Sequence, residues 1–357
     1  MYIKDALHWL MRFTEDEQKV IDSSSFQRLR KVKQLSFVDL VYPGANHTRF
    51  SHSLGTSHLA GMVASSLGLD VGLARLKGLL HDIGHPPFSH TGEEAISELA
   101  GSHEKLGEEI IKDEIAPLIP NYSLKELLGR GVHEEIISCG IGVDRLDYLH
   151  RDAYYTGVSY GVIELDRMIE TMVLSNDGKL CIDPSGLESL EAFMLARFFM
   201  FSAVYQHRVV RIASEMAKRA IVLALEEGMD PHQFARMGDE QAYSELLKYS
   251  GREYVQRILG RKLYKGVLEI GREFYSDEIA AKVRDSVGCD VIVSVPSMKQ
   301  DREDVFVLDS GEPKNAKEFS DFIKVMGEAG AKRKKVIIAV PPEFAEKARS
   351  MKSKFLA

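Results

Sequence analysis

Cysteine is scarce in this chain: three in 357 residues, Cys139, Cys181 and Cys289, far apart and without CxxC spacing. That excludes a disulfide framework or a zinc ribbon, and the three thiols are expected as fillers. Long apolar runs are missing too. Nothing approaches the roughly 18 consecutive apolar residues that span a bilayer, and the opening MYIKDALHWLMRFTEDEQ carries charges where a signal peptide needs an apolar stretch. A cytoplasmic protein with no membrane partner is expected. Low-complexity tracts and internal repeats are absent. Positive charge is in deficit, with a formal net charge of −7. Nucleic acid is therefore a poor fit as a partner, and recognition of a phosphorylated small molecule would need a local basic pocket.

What is present is ordinary globular composition, 45% hydrophobic and 28% charged. The length exceeds the roughly 250 to 300 residues at which single cores stop growing, so two domains are expected. Residues 1–285 read as mainly α. In Asp70-VGLARLKGLLHDI, Asp70 suits a cap, with Val71, Ala74, Leu79, Leu80 and Ile83 facing inward. From Leu187 to Gly228 no Pro or internal Gly interrupts a Leu-, Ala-, Met- and Phe-rich stretch, which suits one or two long helices. Residues 286–357 read as a small α+β domain. Its β-branched runs after Asp290, Asp304 and Lys335 are the strands, and Lys314–Glu328 and Pro342–Lys354 are the helices. The segment Phe274–Ser286 is helical in pattern. The cluster Lys332, Arg333, Lys334 and Lys335 reads as a solvated face.

Histidine is unevenly placed: eight of twelve lie between His47 and His133, many beside carboxylates or other histidines. His52 precedes an apparent helix, His81 and Asp82 stand near the end of the next one, and Asp144 follows a Gly-Ile-Gly stretch. Imidazole and carboxylate together are the ligand set of a borderline or hard divalent ion with open positions. Adjacent helical residues diverge by about 100°, so His81 and Asp82 can share an ion only beyond the helix end. Gly84-His85-Pro86-Pro87 supplies that end, because Pro86 disfavours helical geometry at His85. The chain should then bring His85 and His90 back over the site. A lone His-Asp pair is weak, and only the ordered set HTRFSHSLG, LLHDIGHPPFSH and GVDRLDYLHRD is specific.

With IDSSSFQRLRKVKQL, VYPGANHTRFSHSLGTSHLAG, SHEKLG and VYQHR added, the chain resembles the HD-domain phosphohydrolases. Within them it is similar to the deoxynucleoside triphosphate triphosphohydrolases, over about Ile21 to Ala217. The resemblance implies an HD-domain helical core in which His52, His81, Asp82 and Asp144 bind a divalent metal ion: Mn, Fe, Mg, Zn or Ni. It implies that His85, His90 and His103 line the phosphates, with Glu93 and His103 as the acid/base pair. Relatives carry Asp where this chain has Glu93. For a nucleotide substrate, it implies that Gln34, Tyr148, Asp152 and Tyr205 contact the sugar and Arg49, Arg145, Arg197 and His207 the phosphates. Homo-oligomers are common in the family, and exposed strand edges in the small domain are a physical reason to expect one.

Phe201 and Ala203 stand where triphosphate-cleaving relatives tend to have His and Arg, so two polar contacts are missing. Two other readings therefore stay open. One is an HD phosphohydrolase acting on a nucleoside monophosphate, a cyclic nucleotide or an alarmone. The other is a non-catalytic nucleotide-binding protein, against which the full ligand set speaks.

Overall fold

The computed structural model of the chain describes residues 1–296, 304–332 and 335–355. Five helices frame the site: α1 (Arg49–Ser66), α2 (Val71–Leu80), α3 (His90–Ala100), α4 (His103–Ile110) and α5 (Val143–Thr156). Their ends follow from sequence. The Asp70 side chain accepts the Leu73 N–H at the start of α2, and Ser102 accepts the Lys105 N–H at the start of α4. Gly157 closes α5 in the left-handed region, at φ 74°. Helix α1 begins at Arg49, so His52 lies in its first turn rather than ahead of it. Of the residues expected inward on α2, Ala74, Leu79, Leu80 and Ile83 are buried, whereas Val71 in the first turn is exposed.

The stretch after Leu187 forms two helices, α6 (Leu187–Phe199) and α7 (Arg208–Glu226). Between them Met200–Tyr205 is π-helical, a widening that often marks functional positions. Helices α1 and α5 share one core with the start of α6 through Leu59, Val63, Leu146, Leu149 and Phe193. The inner face of α7 builds a second core with Phe88, Ile96 and Leu106.

The strands run as β1 (Tyr2–Asp5), β2 (Trp9–Arg12), β3 (Met172–Leu174), β4 (Leu180–Ile182), β5 (Lys265–Gly271), β6 (Ile292–Ser294), β7 (Phe306–Asp309), β8 (Glu312–Asn315) and β9 (Lys335–Val340). They form a β1-β2 hairpin, a four-stranded sheet β3-β4-β7-β8 and a three-stranded sheet β5-β9-β6. The three strands expected after residue 285 are β6, β7 and β9, but only β6 and β9 share a sheet. β7 meets β4 in parallel at Ile182 and Val307, and β9 lies between β5 and β6. The 285/286 boundary thus runs between strands of common sheets.

The helix expected from Lys314 is displaced, because Glu312–Asn315 closes a hairpin with β7 and the helix spans Asp321–Lys332. The expected C-terminal helix is broken into a 3-10 turn at Pro342–Phe344 and short helices at Ala345–Ser350 and Lys352–Phe355. Phe274–Ser286 yields a helix over Asp277–Val287. Arg333 and Lys334 lie outside the described residues, as does the Lys332 side chain; Lys335 is exposed. Of the thiols, Cys181 is buried and Cys139 and Cys289 are half-buried, all unpaired with one another. No helix among the described residues is long and apolar enough to cross a membrane.

Candidate active site

The first turns of α1 and α5 and the C-terminal end of α2 converge. His52 Nε2 stands 3.0 Å from Asp144 Oδ1 and 3.2 Å from His81 Nε2. His81 Nε2 is 3.6 Å from both Asp82 Oδ1 and Asp144 Oδ1, and His52 Nε2 is 3.6 Å from Asp82 Oδ2. Each imidazole has its other nitrogen committed as a donor. His52 Nδ1 gives its proton to Asp147 Oδ2 at 2.8 Å, and His81 Nδ1 gives its proton to the Gly78 carbonyl at 2.8 Å. Both Nε2 atoms therefore present lone pairs to one point, toward which two carboxylates also turn. Lone pairs and carboxylate oxygens converge stably only around positive charge.

Ligand atoms bound to one ion at about 2.1 Å stand about 3 to 3.4 Å apart, close to the 3.0, 3.2 and 3.6 Å between the His52, His81 and Asp144 atoms. Those three could hold a metal ion together, and Asp82 adds a fourth candidate ligand, an oxygen, beside them. The local field agrees. Burial disfavours a charged His52, but hydrogen bonds to Asp144 and Asp147 outweigh it and push the ring up to about 10, so the site favours positive charge at Nε2, carried either by a proton or by a bound cation. Burial raises Asp82 as well, yet Arg49, His81 and His85 hold its carboxyl well below the usual range. Arg49 bonds Asp82 directly through Nη1.

Beyond His81 the chain leaves the helix, as Pro86 requires. His85 Nε2 comes back to 3.3 Å from Asp82 Oδ1, and His90 reaches His85 with ring centroids 5.1 Å apart. Gly84 decides how α4 joins them: a Cβ there would stand 2.1 Å from the His103 carbonyl and 2.3 Å from the Gly107 nitrogen. With hydrogen in that place, His103 stacks on His85 at 3.9 Å.

Glu93 spans to His103 Nδ1 at 2.7 Å and to His90 Nδ1 at 3.3 Å. Burial raises Glu93, but its bonds to His103 and His90 dominate and keep it ionised. Burial likewise works against protonated His103, yet Glu93 outweighs it and raises the ring above its ordinary value. For His85, burial together with Arg49 and His103 acts the other way and leaves the ring neutral.

These groups open on a cavity of about 930 Å³, at the upper end of the usual small-molecule range. Gln34, Arg49, Arg145, Tyr148, Asp152, Arg197 and Tyr205 line it. Tyr205 donates to Asp152 Oδ2 at 2.6 Å, with the Tyr148 ring 6.4 Å away. Gln34 keeps a buried carbonyl oxygen without a partner. Arg145 Nη1 donates to the carbonyls of Ser138 and Cys139 at 2.7 and 2.8 Å. His207 is not among the lining residues. It caps α7, its Nδ1 accepting the Val209 N–H, and its ring packs edge-on to Tyr42 at 6.3 Å. Phe201 does line the cavity, edge-on to Tyr205 at 4.9 Å, and the Ala203 carbonyl accepts from Tyr42.

Four supporting residues escaped the sequence reading. His47 is buried and donates to Asp152 Oδ1 at 2.7 Å. Asp147 orients His52. Arg28 donates to the carbonyls of Ile83 and His85, both at 2.8 Å, and so fixes the exit from α2. Asp239 accepts the N–H groups of Phe88 and Lys33 at 2.8 and 3.0 Å. His47, Asp147 and Arg28 each lie within a quoted motif, whereas Asp239 carried no signal.

Comparison with known proteins agrees with this geometry. Residues 49–152 match the HD domain family and residues 163–357 the HD associated region. An uncharacterised protein of Methanocaldococcus jannaschii is 41% identical over 275 residues, 74% of this chain and 59% of the relative. The deoxynucleoside triphosphate triphosphohydrolase SAMHD1 homolog of Dictyostelium discoideum is 29% identical over 310 residues, 75% of this chain and 60% of the relative. The chain thus spans about three fifths of the length of these two curated relatives.

Among solved structures, a hypothetical protein from Aquifex aeolicus superposes with TM-score 0.81 at 36% identity, covering 98% of this chain and 99% of that one. A Bacteroides thetaiotaomicron phosphohydrolase shares the fold at TM-score 0.80 and 24% identity, covering 96% of this chain and all of the other. Taken with the clustered histidines and aspartates, these matches make the chain a member of the HD-domain family, of the kind that carries an HD-associated region.

Proposed function

We propose that this chain hydrolyses deoxynucleoside triphosphates to a deoxynucleoside and tripolyphosphate. The observation that carries the reading is the pairing of Tyr205 with Asp152 in the cavity that also holds the His/Asp cluster. Asp152 is fixed from both sides, by His47 on Oδ1 and Tyr205 on Oδ2, and keeps a lone pair on each oxygen for a sugar hydroxyl. The unpartnered Gln34 oxygen offers a second acceptor. Tyr205 packs beneath that position, where a 2′-hydroxyl would need room.

A divalent ion held by His52, His81, Asp82 and Asp144 would neutralise phosphoryl charge and make water nucleophilic at neutral pH. The chain's own residues do the rest. That water's oxygen, its proton lost to solvent, bonds to the α-phosphorus as the bond to the sugar's 5′-oxygen breaks. His103, protonated and held through Nδ1 by Glu93, gives its Nε2 proton to that leaving oxygen. Neutral His85, stacked on His103, and His90 at the rim face the phosphates, with Arg49, Arg145 and Arg197 supplying positive charge.

A second reading, an HD phosphohydrolase acting on a monophosphate, a cyclic nucleotide or an alarmone, is favoured by one observation. Phe201 takes a place on the cavity wall with no polar group to offer a long phosphate chain.

The sugar reading is tested by comparing kcat/KM for matched deoxy- and ribonucleoside triphosphates in the wild type and in Tyr205→Ala. Preference for the deoxy sugar is expected in the wild type and should shrink about tenfold or more on truncation, the scale of one lost packing contact. Equal preference in both proteins would remove Tyr205 from sugar selection.

A further inference from the structure

Asp147 lies three residues beyond Asp144 on α5, yet its carboxylate turns away from the point where the ligand atoms meet. Oδ2 accepts from His52 Nδ1 at 2.8 Å and from Arg151 Nε at 2.9 Å. Oδ1 accepts from Arg151 Nη2 at 3.0 Å and from His8 Nε2 at 2.7 Å. Both the Asp147 and the Arg151 side chains are fully enclosed, at 0% exposure. Arg151 continues outward, donating to Asp5 Oδ2 at 2.8 Å and to Asp5 Oδ1 at 3.2 Å.

Asp5 ends β1 and His8 precedes β2, so both anchors stand on the turn of the N-terminal hairpin. Asp5 also pins that turn, accepting the N–H groups of Leu7 and His8 at 2.9 and 3.1 Å. The packing leaves no slack: a Cβ on Gly55 of α1 would stand 1.9 Å from Asp147 Oδ1 and 2.5 Å from Arg151 Nη2.

We propose that Asp147 is a positioning residue of the metal centre, and that the N-terminal hairpin, through Asp5, His8 and Arg151, sets the orientation and basicity of His52. A carboxylate on Nδ1 locks the tautomer that leaves Nε2 free, and its charge makes that nitrogen a better donor. Arg151 is shared between Asp5 and Asp147, so one guanidinium faces two carboxylates and leaves Asp147 negative charge to spend on His52. The hairpin therefore acts on the site from behind, without lining the cavity. This inference rests on the reading of His52 as a metal ligand.

The test is a Mn²⁺ titration of the full chain, with free ion read by electron paramagnetic resonance, on wild type, Asp147→Asn, Asp5→Asn and Asp144→Ala. Circular dichroism checks that each variant is folded. The wild type is expected to bind one ion per chain that Asp144→Ala loses. Asp147→Asn, nearly isosteric, should weaken that ion about 10- to 100-fold, as loss of a group behind a ligand does. Asp5→Asn should weaken it by a smaller factor, which a role confined to fold would not produce in a folded chain.

In the Zn²⁺-loaded chain labelled with ¹⁵N-histidine, His52 should show a single Nδ1–H tautomer that Asp147→Asn disturbs. Wild-type affinity in a folded Asp147→Asn overturns the positioning role while leaving His52 a ligand. Wild-type affinity in Asp5→Asn removes the hairpin from the chain of contacts. Absence of an Asp144-dependent ion in the wild type overturns the ligand reading itself. Should Asp147→Asn fail to fold, Asp5→Asn decides the matter.

Discussion

At the scale of residues, the groups of the site differ in how they could be found. His52, His81, Asp82, His85, His90 and Asp144 stood out because chemically scarce side chains crowd into short motifs, and histidine between carboxylates has few uses other than ligation or proton transfer. Asp147 and His47 lay inside the same motifs, but their roles depend on which neighbouring helix each meets, and that is a property of packing. Asp147 did carry a local hint, since it stands on one face with Asp144 at i−3 and Arg151 at i+4. His207 is the opposite case: a histidine inside a quoted motif caps a helix and stands off the cavity lining, a placement that a motif cannot distinguish from a phosphate contact.

The Glu93–His103 pair allows a pH prediction with a definite sign. Glu93 raises His103, so the protonated acid persists to higher pH than an ordinary histidine. Glu93→Gln removes that charge, and the alkaline limb of the kcat/KM profile should move to lower pH. A limb that stays in place would take the acid role away from His103.

At the scale of elements, the exit from α2 was legible because Pro86 constrains His85 whatever the rest of the fold does. The turn beyond it was not legible. Phe88 and Ser89 adopt φ of 59° and 51°, which neither residue type signals in sequence. Contacts distant in the chain hold them there: Asp239 accepts the Phe88 N–H, Ser36 donates to the Phe88 carbonyl, and Arg49 donates to Ser89 Oγ. Asp239→Ala leaves two backbone donors without their acceptor and should cost about 1 to 3 kcal/mol of unfolding free energy. Denaturant titration reads that loss, and the acquired freedom at Ser89 should lower kcat/KM with it; an unchanged midpoint would show that water replaces the carboxylate. Strand β8 escaped for a related reason. The pairing of Glu312–Asn315 with β7 overrides the local pattern that suggested a helix from Lys314.

At the scale of the whole molecule, the mainly helical core and the α+β texture at the C-terminal end were readable from periodicity and β-branched runs. The way they interlock was not, because strand partners come from far apart: β4 with β7, β5 with β9. Hydrogen bonds between such segments carry no sequence period. The consequence reaches the site, since Arg211 of α7, which lines the cavity, donates to the Ser294 carbonyl on β6 at 2.7 Å and to the Lys335 carbonyl on β9 at 2.8 Å. The C-terminal sheet thereby helps to hold the cavity wall.

Chromatography of the products decides whether the His52, His81, Asp82 and Asp144 centre cleaves deoxynucleoside triphosphates, as proposed. The chain is incubated with a deoxynucleoside triphosphate and Mn²⁺, with a chelator control and with Asp144→Ala beside it. Deoxynucleoside and tripolyphosphate should appear in the wild type alone and vanish with chelator. Turnover that survives both chelator and Asp144→Ala, or turnover confined to a monophosphate or cyclic nucleotide, would contradict the account.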